Sequence, residues 1–296
     1  MTLQEALDLF LQVNRSPATT ETYRQFLAGF VAAIGPLRPV ELVRPEDIDA
    51  YVQAMRARKD KFVAHPTRPV VRRPLSPATV YKNVKMIKTF FNWCERRGLA
   101  TPSPARFIVN RRPNSPLGQG KAATDDEVET LLLASRFDPR DRAMILLLAR
   151  SGCRAGELAS LTIQDLDLRA NAAFVNGKGD KRRRIYFDAE TSEAIGRWLE
   201  RRPEADHDCV FLGKYDRQPL TSSAVSQVIR RLCRKAEIRS LGAHSLRHRV
   251  GLSFARARVA PRVAQHYLGH TNLLITLGYY QDVDESDLIA AGELLK

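Results

Sequence analysis

Along the first hundred residues, apolar positions recur at helical spacing and are punctuated by strong start signals. Thr2 and Glu5 form a capping-box pair ahead of Leu3, Ala6, Leu7, Phe10 and Leu11. Ser16-Pro17 opens a second predicted helix carrying Tyr23, Phe26, Leu27 and Phe30, which stops by Gly35-Pro36. Pro45 starts a third, with Ile48, Tyr51, Val52 and Met55. Ser76-Pro77 starts a fourth, with Val80, Val84, Ile87 and Phe91, ending at Gly98. The string SPAT occurs at 16–19 and again at 76–79, which reads as reused helix-start chemistry rather than a repeat architecture.

Residues 109–123, VNRRPNSPLGQGKAA, lack apolar periodicity and hold two prolines and two glycines. This predicts an interdomain linker, dividing the chain into 1–108 and 124–296. Thr124 with Glu127 then repeats the capping box. Helical patterns follow over 125–136 and 139–150, and two strands over Ala172–Asn176 and Arg183–Phe187 around the turn-rich GKGDK. Further helices are expected over 190–201, 221–235, 245–257, 261–268 and 286–295. The fold class is therefore mainly α with a small antiparallel β-sheet.

Charge adds a partner class. Lys and Arg number 47 against 33 Asp and Glu, a net +14, which favours a polyanion. One basic, proline-rich stretch holds Arg56, Arg58, Lys59, Lys61, Arg68, Arg72 and Arg73; it suits a phosphate backbone as well as it suits a solvated loop. At 44% hydrophobic the chain can bury a core, so wholesale disorder is excluded. The densest apolar run, Met144–Ala149, is too short to span a membrane. The N-terminus shows no secretion-signal pattern, and the four cysteines include no CxxC pair, so a cytoplasmic, nucleoid-associated location with reduced thiols is expected.

Four places in the second half gather chemistry. ARSGCRAGELASL (149–161) puts Arg154 at a break beneath an apolar helix, with Glu157 three residues on. NGKGDKRRRIYF (176–187) sets Lys178 between glycines, followed by Lys181, Arg182, Arg183 and Arg184, which read as exposed hairpin charges. HSLRHR (244–249) places His244 and Arg247 on one helical face, with Ser245 or His244 as the helix start. LGHTNLLITLGYY (268–280) ends a helix at Gly269 and presents His270, Tyr279 and Tyr280. The pairs His244/His248 and His266/His270 have a spacing that can hold zinc, but they lack the Glu of HExxH and lie in basic surroundings, so no metal and no cofactor is expected. Two Arg, a Lys, two His and a Tyr suit a phosphodiester: guanidinium forks match phosphate oxygens, a phenol can attack phosphorus, and Lys or His can move protons.

In order and spacing these four boxes resemble the tyrosine recombinase/integrase family, which includes phage integrases and Xer-type recombinases. The specific part of the resemblance is GCRAGEL, GKGDKRR, HSLRH and LGH with a tyrosine nine residues on. It implies an N-terminal helical core-binding (SAM-like) domain and an α-rich catalytic domain that together form a C-shaped clamp on double-stranded DNA. It implies that Tyr279 attacks the scissile phosphate to give a 3′-phosphotyrosine, that Arg154 and Arg247 clamp the phosphate, and that Lys178 protonates the 5′-oxygen. His244 assists proton transfer at the tyrosine, His270 bonds the transition state, and Glu157 supports Arg154. Four protomers then act on paired sites through a Holliday junction, with Leu288, Ile289, Leu294 and Leu295 packing on a neighbour or within their own protomer. Spacing from His270 selects Tyr279; the following Gln281-Asp282-Val283 would instead align Tyr280. Helices that begin at residue 2 leave no room for an arm-binding domain, pointing to an Xer-like or small mobile-element recombinase. The competing readings are a DNA-binding protein that does not cleave and a metal-dependent nuclease.

Overall fold

A computed structural model describes residues 1–13, 16–60, 69–113, 122–177, 182–280 and 293. The chain forms two compact units, Met1–Ser115 and Pro116–Lys296.

Among its described residues, the first unit contains four α-helices: α1 (Leu3–Gln12), α2 (Pro17–Ile34), α3 (Pro45–Ala57) and α4 (Pro77–Arg96). Their starts follow from local chemistry. Both SPAT strings cap helices in the same way, since Ser16 Oγ accepts from Thr19 N and Ser76 Oγ accepts from Thr79 N. The Thr2–Glu5 capping box is closed in both directions, at 2.8 and 3.2 Å. Four phenylalanines build the centre: Phe10 meets Phe90 edge-on at 5.4 Å, and Phe30 meets Phe91 at 5.9 Å. Such pairs add about 0.5–1.5 kcal/mol each beyond the apolar area they bury. Leu3, Leu27, Ile48 and Ile87 complete this core without solvent contact. Arg56, Arg58, Lys59, Arg72 and Arg73 are exposed; Lys61 and Arg68 of the same basic stretch lie outside the described residues.

The second unit holds α5 (Asp125–Ala134), α6 (Pro139–Ser151), α7 (Ala155–Ala159), β1 (Leu166–Asp167), β2 (Ala172–Asn176), β3 (Arg182–Tyr186), α8 (Ala189–Leu199), α9 (Ser222–Lys235), α10 (Ala243–Arg256), α11 (Pro261–Leu268) and α12 (Leu273–Leu277). The sheet is antiparallel in the order β1-β2-β3. Every residue from Ala143 to Ala149 is buried. A helix that is apolar all round belongs in the middle of a core, and α6 accordingly packs against α5, α8 and α10.

Three expectations change. The second long strand runs from Arg182 to Tyr186, one residue earlier than its sequence pattern suggested. Helix α10 begins at Ala243 behind Gly242, not at Ser245 or His244. Three short elements, α7, β1 and α12, were not foreseen. The helix expected over 286–295 falls almost wholly outside the described residues, and Leu288, Ile289, Leu294 and Leu295 lie there too.

The two ends of the expected linker are tied down. Asn110 Nδ2 donates to Tyr81 O at 3.1 Å within the first unit. On the other side, Ala123 N donates to Ser245 O at 3.0 Å, inside the first turns of α10. Arg239 Nη2 donates to Ala122 O, and Arg249 Nε to Asp125 Oδ1 at 2.6 Å. Among the described residues, no helix is long and apolar enough to cross a membrane.

Candidate active site

Helix α6 ends where Gly152 turns left-handed, at φ +62°. A side chain there would be strained and would meet Leu268 Cδ2 at 2.9 Å. The turn delivers Arg154 to the start of α7. Its backbone N–H donates to Glu157 Oε2 at 2.8 Å, and its Nη1 to Glu157 Oε1 at 2.7 Å. The Arg154–Glu157 pairing expected from sequence is present, and it leaves the guanidinium partly open to solvent, at 41% exposure.

Three guanidiniums converge on the C-terminus of α11. Arg183 Nη1 donates to Tyr267 O at 2.8 Å, Arg247 Nη2 to Leu268 O at 2.5 Å, and Arg154 Nη2 to Gly269 O at 2.9 Å. These are three successive carbonyls at a helix end, where unpaired acceptors and the negative end of the helix dipole favour cations. Arg247 also donates from Nη1 to Gly152 O at 2.6 Å. It is buried, and burial, followed by the neighbouring Arg154 charge, pushes its pKa down to about 10, so it stays charged at neutral pH.

Arg183 corrects the sequence reading. It is not an exposed hairpin charge, because its Nη2 bonds the buried Glu157 carboxylate at 2.9 Å. Strand alternation explains this: Arg183 pairs with Val175 and shares the core-facing side of β3 with Ile185. Its neighbours Arg182 and Arg184 do face outward, paired to Asp165 and Asp167. Gly269, also left-handed at φ +65°, lies against the Arg183 side chain; a Cβ there would collide with Nε. Lys178 lies outside the described residues.

His270 is buried, with Nδ1 2.9 Å from Thr276 Oγ1, and its ring stacks on that of Tyr279 at 6.2 Å. Burial first, then Arg247, Arg154 and Arg183, lower its pKa to about 4. The unfolded chain therefore binds a proton that the folded chain resists. This stabilising difference is whole above about pH 6.5 and is lost as pH falls toward 4. Urea unfolding of the wild type at pH 5 should show about 1–2 kcal/mol less stability than at pH 7 from this group. His270→Gln should lose less over the same interval; equal losses would refute the assignment.

The two tyrosines part company. Tyr279 is buried, and its hydroxyl lies 2.8 Å from His248 Nδ1. Its ring rests on α10 at Gly251, where a Cβ would come within 2.6 Å of Cε2. Burial raises its pKa and the Arg247 charge opposes the rise. Tyr280 points elsewhere, donating to Val259 O at 2.7 Å. His244 is exposed one turn before His248, the two rings edge to face at 4.1 Å. His248 was missed as a chemical residue; the i, i+4 spacing that could have found it was weighed only for zinc. Among the described residues, no cluster of three His, Cys, Asp or Glu could hold a metal.

The structure thus brings Arg154, Arg247, His270 and Tyr279 around one helix end, adds Arg183 and His248, and sets His244 at the rim. Such a group can bind a tetrahedral anion between guanidiniums beside a phenol.

The Phage integrase family profile matches residues 121–286. The tyrosine recombinase XerC of Alcanivorax borkumensis is 35% identical over 221 residues, covering 70% of each chain. That of Lactobacillus delbrueckii subsp. bulgaricus is 28% identical over 296 residues, covering 94% of each. Among solved structures, the Tn1549 transposon integrase in complex with a circular intermediate DNA superposes with a TM-score of 0.76 at 19% identity, covering 100% of both chains.

Proposed function

The chain belongs to the phage integrase family and is a site-specific tyrosine recombinase, and from that premise we propose that Tyr279 is the residue with which it cuts and rejoins DNA. The observation that carries this reading is the packing of Arg154, Arg247 and Tyr279 about the end of α11.

Tyr279 Oη attacks a DNA phosphate and releases a 5′-hydroxyl, leaving a 3′-phosphotyrosyl bond. Arg154 and Arg247 hold the non-bridging oxygens as charge builds there; each well-placed donor of this kind is worth about 10²–10³ in rate. Lys178 gives the 5′-oxygen its proton, His244 assists proton transfer, and His270 hydrogen-bonds the transition state as a neutral imidazole. The energy of the broken ester is kept in the new one, so rejoining draws on no nucleotide. The partner is double-stranded DNA carrying a specific site, and the net charge of +14 supports this. Strand exchange through a Holliday junction by four protomers completes the reading. The XerC relatives support an Xer-like enzyme.

A pool of nicked duplexes of randomised sequence tests the reading. The protein should form an adduct that survives denaturant and yields to protease. Absence of any adduct, with binding intact, would leave a protein that holds DNA without cutting it.

Gly251→Ala gives a narrower prediction. Alanine favours the helix by up to about 1 kcal/mol, yet its methyl group displaces the Tyr279 ring. Displacement of a reacting atom by about 1 Å costs around 10²-fold in rate. Adduct formation should fall by roughly that factor, with little change in melting temperature; undiminished adduct formation would count against the ring position.

A further inference from the structure

Proton transfer at the nucleophile has a more direct candidate than His244. We propose that His248 is the catalytic base that takes the Tyr279 proton during attack and returns it during rejoining, an inference that rests on the recombinase reading above.

Helix α10 presents His244, Arg247, His248 and Gly251 at spacings of three and four, so they share one side. Gly251 lets the Tyr279 ring lie against that side, and this brings the phenol oxygen 2.8 Å from His248 Nδ1. A base must sit within about 2.6–3.2 Å of the proton donor's heavy atom, and geometry comes before basicity. The other imidazoles are placed for different work. His270 lies nearly parallel to the phenol ring, 20° between planes, and its Nδ1 is engaged by Thr276; its lowered basicity agrees. His244 is exposed and meets the edge of His248, whereas His248 itself meets the Tyr279 ring at 5.6 Å.

The step balances without any further reagent. A bond forms between Tyr279 Oη and phosphorus while the bond from phosphorus to the 5′-oxygen breaks. The phenol proton passes to His248 Nδ1, and the departing 5′-oxygen takes a proton from the acid group assigned to Lys178. In rejoining, the 5′-hydroxyl gives its proton back to Lys178 and His248 returns its own to the phenol.

The test compares His248→Ala and His248→Asn with the wild type on a duplex recovered from the adduct pool, in single turnover, with gel-shift binding to the same duplex as the control for folding. Asparagine keeps a hydrogen-bonding group near Oη but accepts no proton at neutral pH. Both variants should bind like the wild type and form adduct about 10²–10⁴-fold more slowly. A duplex with sulfur in place of the bridging 5′-oxygen needs no acid for its leaving group. It should rescue Lys178→Ala and leave both His248 variants slow. His248→Ala within threefold of the wild type, or His248→Asn at full rate, would overturn the proposal, and so would rescue of His248→Ala by the sulfur duplex. A wild type that forms no adduct on any duplex would overturn the recombinase reading itself and His248 with it. That result differs visibly from failure of the histidine alone, in which the wild type reacts normally.

Discussion

Tyr279→Phe should abolish the covalent protein–DNA adduct, and Tyr280→Phe should leave it near the wild-type level. The two residues are adjacent and chemically identical, so only placement separates them. Tyr279 turns its hydroxyl to His248 and lies beside Arg247, whose charge favours the phenolate. Tyr280 spends its hydroxyl on Val259 O, outside the cluster of guanidiniums. Removing the Tyr280 hydroxyl deletes one ordinary hydrogen bond, about 1 kcal/mol of stability. Removing the Tyr279 hydroxyl deletes the attacking atom, and no neighbouring group can replace it. Denaturing gels of the two variants on the same nicked duplex decide the matter. Loss of the adduct in Tyr280→Phe, or its persistence in Tyr279→Phe, would reverse the assignment.

Glu157→Ala should be among the more destabilising single changes in the second unit outside its apolar core. The Glu157 side chain is 3% exposed and carries bonds from the Arg154 backbone, the Arg154 side chain and Arg183. Burial alone would raise its pKa, but the Arg154 N–H and the Arg183 charge outweigh that and hold it below the usual range. Its contribution is therefore intact above about pH 4.3 and fades as acid protonates the carboxyl. Truncation leaves Arg183, only 16% exposed, without its counter-charge. Removing one partner of a buried pair costs about 3–5 kcal/mol. Arg154 can regain water, so a loss near 3 kcal/mol is expected at neutral pH. Denaturant midpoints measure it, and a change below about 1 kcal/mol would refute the structural role. Adduct formation should fall as well, because Arg154 and Arg183 both lose their fixed point.

How much of this was legible beforehand depended on whether the determining signal was local. Helix starts were, because a capping serine or threonine acts within three residues of itself; Thr2, Ser16, Ser76 and Thr124 each cap as read. The buried α6 was legible because its apolar run is continuous. Helices α7 and α12, five residues each, are too short to show a period. Arg183 was misread because a charged hairpin is ordinarily solvated, although its alternation with Ile185 pointed inward. Arg154, Arg247, His270 and Tyr279 were visible as residue types at telling intervals. What gathers the arginines was not, since the three acceptors at the end of α11 are backbone carbonyls and any residue at 267–269 carries one.

The bond from Ala123 N to Ser245 O has a practical consequence for hybrid enzymes. Together with the bonds that Arg239 and Arg249 make to Ala122 and Asp125, it makes 122–125 part of the support for the helix that carries His244, Arg247 and His248. A chimera that grafts a foreign N-terminal half onto this chain should keep native sequence from Ala122 onward. Splicing at Thr124, where the helical pattern resumes, would put a foreign residue at buried position 123, and a proline there would delete the N–H that holds Ser245 O while a large side chain would crowd the seam.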